Sequence, residues 1–311
     1  MAQITAKMVS DLRAQTGCGM MDCKKALVAT EGDFDAAVKF LREKGLASAG
    51  KKESRIAAEG IVDILVEGGV AAMIEVNTET DFVAKNEGFK AFVKNILKTI
   101  IVNKPANVEE LLALNCEGEG ETVDAALKAN IFKIGEKISI RRFVIVEGNV
   151  STYVHGGGVA GVIVKIDADA ETVAKEGFDE FAKNIALQIA AGTPPTYIAI
   201  SDVPQSAVDE ELAVLVAQAK NDPKLASKPD EILKKIVSGK IGKFYERVCL
   251  LEQAYVKEDE LTVGKYVEKT AKALGGSIAI SGFWLFEKGE GLEKREDDFA
   301  AEIEKLTKGS N

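Results

Sequence analysis

Apolar positions in the first 45 residues recur at helical spacing in three runs divided by glycines, which predicts three short helices. Thr5 is placed to cap the first, with Met8, Val9 and Leu12 on one face and Gly17 and Gly19 ending it. "MMDCKKALVAT" reads as the second, with Met21, Leu27 and Val28 inward. "GDFDAAVKFLREKGL" reads as the third, capped by Asp33, lined by Phe34, Val38 and Leu41, and stopped at Gly45. "ASAGKKESR" then reads as a flexible or helical tether.

From residue 59 the period changes to two. "GIVDILVE", a Gly68-Gly69 turn and "VAAMIEVN" predict an antiparallel hairpin. The helix after it, "EGFKAFVKNILKTII", carries Phe89, Phe92, Val93, Ile96 and Leu97 on one stripe. This unit recurs: residues 59–74 align with 147–163 across one inserted glycine, and "EGFKAFVKNI" at 87–96 aligns with "EGFDEFAKNI" at 176–185. A duplicated core with approximate twofold symmetry follows.

Beyond residue 200, "SAVDEELAVLVAQAKNDPK" and "PDEILKKIVSGKIGKFYERVCLLEQ" predict two helices joined near Pro223 and Pro229, with spacing suited to an antiparallel coiled coil. "TVGKYVEKTAKALGG" reads as an amphipathic helix, "SIAISGFWLFE" as a strand joining the second half's sheet, and "EDDFAAEIEKL" as an acidic terminal helix. The fold class is α+β. The expected units are a three-helix domain at 1–50, core halves at 51–145 and at 146–200 with 262–290, a helical hairpin at 201–261, and a terminal module at 291–311.

Composition narrows the function. With 46% apolar and 29% charged residues and a net charge of −9, the 311-residue chain has no basic excess for nucleic acid, and "GKKESR" at 50–55 reads as a solvated linker. No apolar run reaches the roughly 20 residues of a membrane span. Four scattered cysteines and a single histidine, His155, give no zinc spacing, and no secretory signal precedes "MAQITAKM", so the expected location is a reducing cytoplasm. "HGGG" at 155–158 has the glycine-rich backbone of an oxyanion hole, but the companion G-x-S-x-G elbow is absent. "SGKIGKF" at 238–244 lacks the leading glycine of a phosphate loop and has Phe244 where Ser or Thr would bind magnesium. No catalytic residue, metal or cofactor is assigned.

Three features remain without a settled role. Phe82 stands beside Asp81 in "TETDFV", where the sister segment "DADAETV" has no aromatic. Either the ring folds into its own core or it projects. Met20 and Met21 are consecutive, so a helix cannot bury both on one side, and one is left for a partner unless both cover the small bundle. His155 is either a solvated hairpin residue or a presented one.

Two long stretches, "LRAQTGCGMMDCKKAL" at 12–27 and "EVNTETDFVAK" at 75–85, resemble the elongation factor Ts family, and the likeness runs on through "HGGG" and the closing "GEGLEKREDDFAAEI". What the resemblance implies is a ubiquitin-associated-like N-terminal domain, a duplicated core, a coiled-coil excursion, and guanine-nucleotide exchange on elongation factor Tu. It also implies that Thr80, Asp81, Phe82 and Val83 form the motif that disturbs the partner's magnesium site. Leu12, Met20, Met21 and His155 become further partner contacts by the same resemblance. Val159 departs from it, standing where a basic residue is common. The alternative function is an adaptor of the same fold without exchange activity. The helical hairpin also offers a route to a homodimer.

Overall fold

The structure is a computed structural model and describes residues 4–222 and 228–293. The expected terminal helix and the joint at Pro223 lie outside the described residues.

Three helices open the chain: α1 (Ala6–Thr16), α2 (Met20–Ala29) and α3 (Phe34–Lys52). Thr5 caps α1 by accepting from the Met8 N–H, and Gly17 ends it in the left-handed region at φ 66°. On α2 the inward residues are Cys23, Ala26 and Leu27, whereas Met21 and Val28 are exposed, contrary to expectation. Cys23, Ala26 and Leu27 form the buried stripe, and Met21 and Val28, seven residues apart, share the opposite one. Helix α3 does not stop at Gly45 but runs to Lys52. Its second half lies along α7 of the core, and Gly45 sits against Phe132 there.

The first half of the core is strand β1 (Glu59–Glu67), β2 (Val70–Thr78), a four-residue turn α4 (Asp81–Ala84), α5 (Glu87–Asn103), α6 (Val108–Ala113), α7 (Val123–Ile134) and β3 (Ile138–Glu147). The second half repeats the plan with β4 (Val150–His155), β5 (Ala160–Ala168), α8 (Ala170–Val173) and α9 (Phe178–Ala191). An excursion follows: α10 (Gln205–Asn221), α11 (Asp230–Ser238), α12 (Ile241–Val248) and a small ribbon of β6 (Ala254–Tyr255) with β7 (Glu258–Thr262). Helix α13 (Val263–Leu274) and strand β8 (Ile278–Glu287) complete the second half. The expected second helix of the hairpin is broken at Gly239–Lys240, so α11 and α12 pack on α10 one after the other.

Two antiparallel sheets result, ordered β1-β2-β3 and β4-β5-β8. Both carry a register shift at the same place, between Glu75 and Val76 in β2 and between Lys165 and Ile166 in β5. The repeat therefore extends to a third strand that periodicity did not reveal: "ISIRRFVIVE" at 138–147 matches "IAISGFWLFE" at 278–287.

Register also corrects the alignment of the two hairpins. Glu67 pairs with Val70 across two residues, but His155 pairs with Ala160 across four. Two residues are inserted, not one, and Val70 is equivalent to Ala160. A slip of one would turn every β5 side chain to the wrong face. With the observed register, Ala72, Ile74 and Val76 face α5 and α7, as Val162, Val164 and Ile166 face α9 and α13. The other faces of the two sheets meet through Val62, Ala71, Met73, Val146 and Ile163. The core is thus helix, sheet, sheet, helix.

Candidate partner-binding surface

The turn α4 follows directly from the end of central strand β2. Thr78 is fully buried and its hydroxyl donates to the Thr80 carbonyl (2.8 Å). Val83 is buried in the first-half core. These inward residues on either side leave Phe82 outside, at 79% exposure, so the reading in which the ring folds into its own core is wrong. In the sister turn Asp169 takes the capping place of Thr80, which makes the exposed Glu171 the counterpart of Phe82.

Asp81 and Lys85 lie one helical turn apart and form an ion pair (2.6 Å), and the Lys85 ammonium also sits 5.9 Å from the centre of the Phe82 ring. The hydrogen bond from Lys85 holds the Asp81 carboxyl below the usual carboxylate range, and the charge of Lys288 acts in the same direction. Asp81 is thus ionised at neutral pH.

The last turn of α7 and the loop after it reach both the three-helix unit and this turn. Lys133 lies against Gly17 at the α1–α2 junction. Gly135 (φ 87°) caps α7 in a conformation suited to glycine and turns the chain so that Glu136 meets Thr80. Met20 and Met21 open α2 just beyond that junction, at 55% and 62% exposure. Both are exposed, more than the single one that helical geometry required. Leu12 behaves differently. It is fully buried in the core of the three-helix unit and offers no surface to a partner.

His155 ends β4 and is exposed, with its Nδ1 3.3 Å from the Tyr153 hydroxyl. The glycine run beyond it does not form an oxyanion hole, because the Gly158 and Val159 N–H groups both turn back to the His155 carbonyl (3.1 and 3.0 Å). The Gly158 carbonyl accepts from Val62 N–H of β1 (2.9 Å), tying this hairpin to the first half. Lys288 connects the regions further: its N–H donates to the Val159 carbonyl (2.9 Å), and its ammonium pairs with Glu59 while acting on Asp81.

The Glu136 contact was not legible in the sequence, because Glu136 meets the turn from a remote segment with no local spacing to mark it. Nor was Lys288, whose charge acts on Asp81 from just past β8, and only the third-strand repeat would have pointed to the segments flanking β3 and β8.

The duplicated α+β core thus presents one exposed aromatic, Phe82, on a turn held by Thr78, Val83 and Glu136, with no aromatic at the matching place of the sister half. The family model for elongation factor Ts matches residues 79–290. Curated relatives named elongation factor Ts match along almost the full length. That of Symbiobacterium thermophilum is 47% identical, covering 97% of this chain and 98% of the relative. Those of Syntrophotalea carbinolica and Clostridium kluyveri are 45% and 44% identical over 98% of this chain, covering 100% and 99% of the relatives. The chain belongs to the elongation factor Ts family of translation elongation factors. Among the described residues no helix is long and apolar enough to cross a membrane.

Proposed function

We propose that this protein binds elongation factor Tu and speeds the release of its GDP, with Phe82 as the wedge and Thr80, Asp81 and Val83 as its setting. Met20, Met21 and His155 provide further contacts, which hold the partner while the turn acts on it. The observation that carries this reading is the outward Phe82 ring on a turn fixed by Thr78, Val83 and Glu136.

A GTPase grips its nucleotide through backbone amides around the phosphates and through magnesium. A factor that favours a partner conformation with this cradle spoiled need not touch the guanine. Factor and nucleotide then weaken each other's binding reciprocally. Accelerating release a thousandfold needs about 4 kcal/mol of coupling, whereas burying one phenyl contributes about 1.5–3 kcal/mol. The wedge therefore depends on the wider surface, and the chain promotes exchange without covalent chemistry of its own.

The test is stopped-flow release of fluorescent GDP from elongation factor Tu. Phe82→Ala is expected to keep the fold and most partner binding while slowing release at least tenfold, a loss of about 1.4 kcal/mol. Release at the native rate with binding intact would point instead to an adaptor.

A further inference from the structure

Glu136 is not among the proposed partner contacts, yet it holds the wedge turn from outside through two hydrogen bonds. Its carboxylate accepts from both the Thr80 hydroxyl (2.6 Å) and the Thr80 N–H (2.9 Å). We propose that Glu136 is a positioning residue for nucleotide exchange, fixing α4 to the core so that Phe82 can press on a partner without the turn giving way. This inference rests on the exchange reading above.

The sister half supplies the comparison. There Asp169 caps its own turn, accepting from the Thr172 N–H and hydroxyl (both 2.8 Å). A turn capped from within is ordered internally but can still move as a unit. In the first half, Thr80 makes no side-chain cap, and the carboxylate comes instead from the α7–β3 loop, 56 residues away. Here the carboxylate binds the capping residue itself rather than an N–H inside the turn, which anchors the turn to the core, and it is this anchored turn that carries the exposed aromatic.

The anchor itself is immobilised. Gly135 closes α7 through its N–H to the Ile131 carbonyl (3.0 Å). The Lys137 N–H donates to Glu79 Oε1 (2.6 Å), the residue just before Thr80. The Lys137 ammonium binds the Glu53 and Arg55 carbonyls (2.7 and 2.9 Å), and Arg55 returns to Glu79 (3.1 Å). Loop, turn and the end of the three-helix unit are thereby joined by reciprocal bonds across Glu79 and Lys137. A projecting side chain can distort another protein only if its own support is stiffer than what it pushes, and a second-layer carboxylate provides that stiffness.

Exchange rates measured over a range of factor concentrations test this with four variants: Phe82→Ala, Glu136→Ala, Glu136→Gln and the double F82A/E136A. Glu136→Ala is expected to lower the maximal rate about tenfold while the half-saturating concentration changes by less than about threefold. Glu136→Gln, whose amide oxygen still accepts from the Thr80 N–H, should lose less. The double variant should be no slower than Phe82→Ala alone, because Glu136 acts through the ring. If Phe82→Ala is slow but Glu136→Ala exchanges at the native maximal rate, the positioning role is overturned and the wedge stands. A loss confined to half-saturation, or one that multiplies with that of Phe82→Ala, also overturns it. Should Glu136→Ala not fold, a native maximal rate for Glu136→Gln does the same. A native rate for Phe82→Ala would instead remove the exchange reading itself.

Discussion

Exposure separates residues that the sequence places side by side. Leu12 is fully buried, while Met20 and Met21 are more than half exposed. Leu12→Ala should therefore destabilise the three-helix unit by about 2–5 kcal/mol, seen as a lower thermal midpoint. Met20→Ser and Met21→Ser should leave that midpoint within about 0.5 kcal/mol and instead raise the factor concentration needed for half-maximal exchange. The opposite pattern would move the contact surface off α2. Gly158 makes a second residue-scale case. Its φ is +109°, and an added Cβ would stand 2.3 Å from Ile61 Cγ1, in the hairpin that docks on β1 through the Gly158 carbonyl. Gly158→Ala must shift both halves of the core or abandon that hydrogen bond. Its denaturation midpoint should fall by the equivalent of about 1–3 kcal/mol with an unchanged m-value.

Individual elements were legible where a single physical signal dominated. The α5 stripe, with all five of its expected apolar residues buried, and the β1–β2 hairpin each follow from one clear period. The expected strand "SIAISGFWLFE" does join the second half's sheet, as β8 beside β5. Legibility failed where signals were weak or competed. Gly45 reads as a stop, but tertiary packing against Phe132 carries α3 past it. Gly239 lies inside an apolar pattern that runs on, and the helix nevertheless breaks there. A run of three glycines cannot fix its own register, and only the two-sided burial of β5 shows that the second loop is two residues longer. Phe82 stood out in the sequence as an aromatic without a twin in the sister half. Whether the ring faced outward was not legible, because it depends on Thr78 and Val83 turning inward, which packing against the first-half core decides.

At the scale of the whole molecule, duplication supplies two similar sheets, and one buried carboxylate fastens what their packing brings together. Glu75 is fully buried at the β2 register shift, where the second half has half-buried Lys165. It accepts from Arg141 (3.0 Å), Arg142 (2.7 Å), Asn77 (3.1 Å) and the Gly289 N–H (2.8 Å), the last from the segment after β8. Arg142 stacks over Phe286 at 4.2 Å and pairs with Glu290 (2.9 Å), while Arg141 donates to the Glu290 carbonyl. Burial alone would raise the Glu75 carboxyl, but the Gly289 N–H, Asn77 and the two guanidinium groups outweigh it and hold the group below its usual range. A depressed carboxyl contributes stability that is complete above its unfolded value, about 4.3, and is lost as pH falls through the lower folded value. Glu75→Gln keeps the shape and removes the charge, leaving Arg141 and Arg142 without their shared buried anion. It should be less stable than the parent by about 2–4 kcal/mol at pH 7. Urea midpoints for the two proteins should then converge as pH drops below about 4, because the parent's carboxyl becomes neutral as well. A gap that stayed constant down to acid pH would mean that Glu75 holds the halves together by shape and hydrogen bonding rather than by charge.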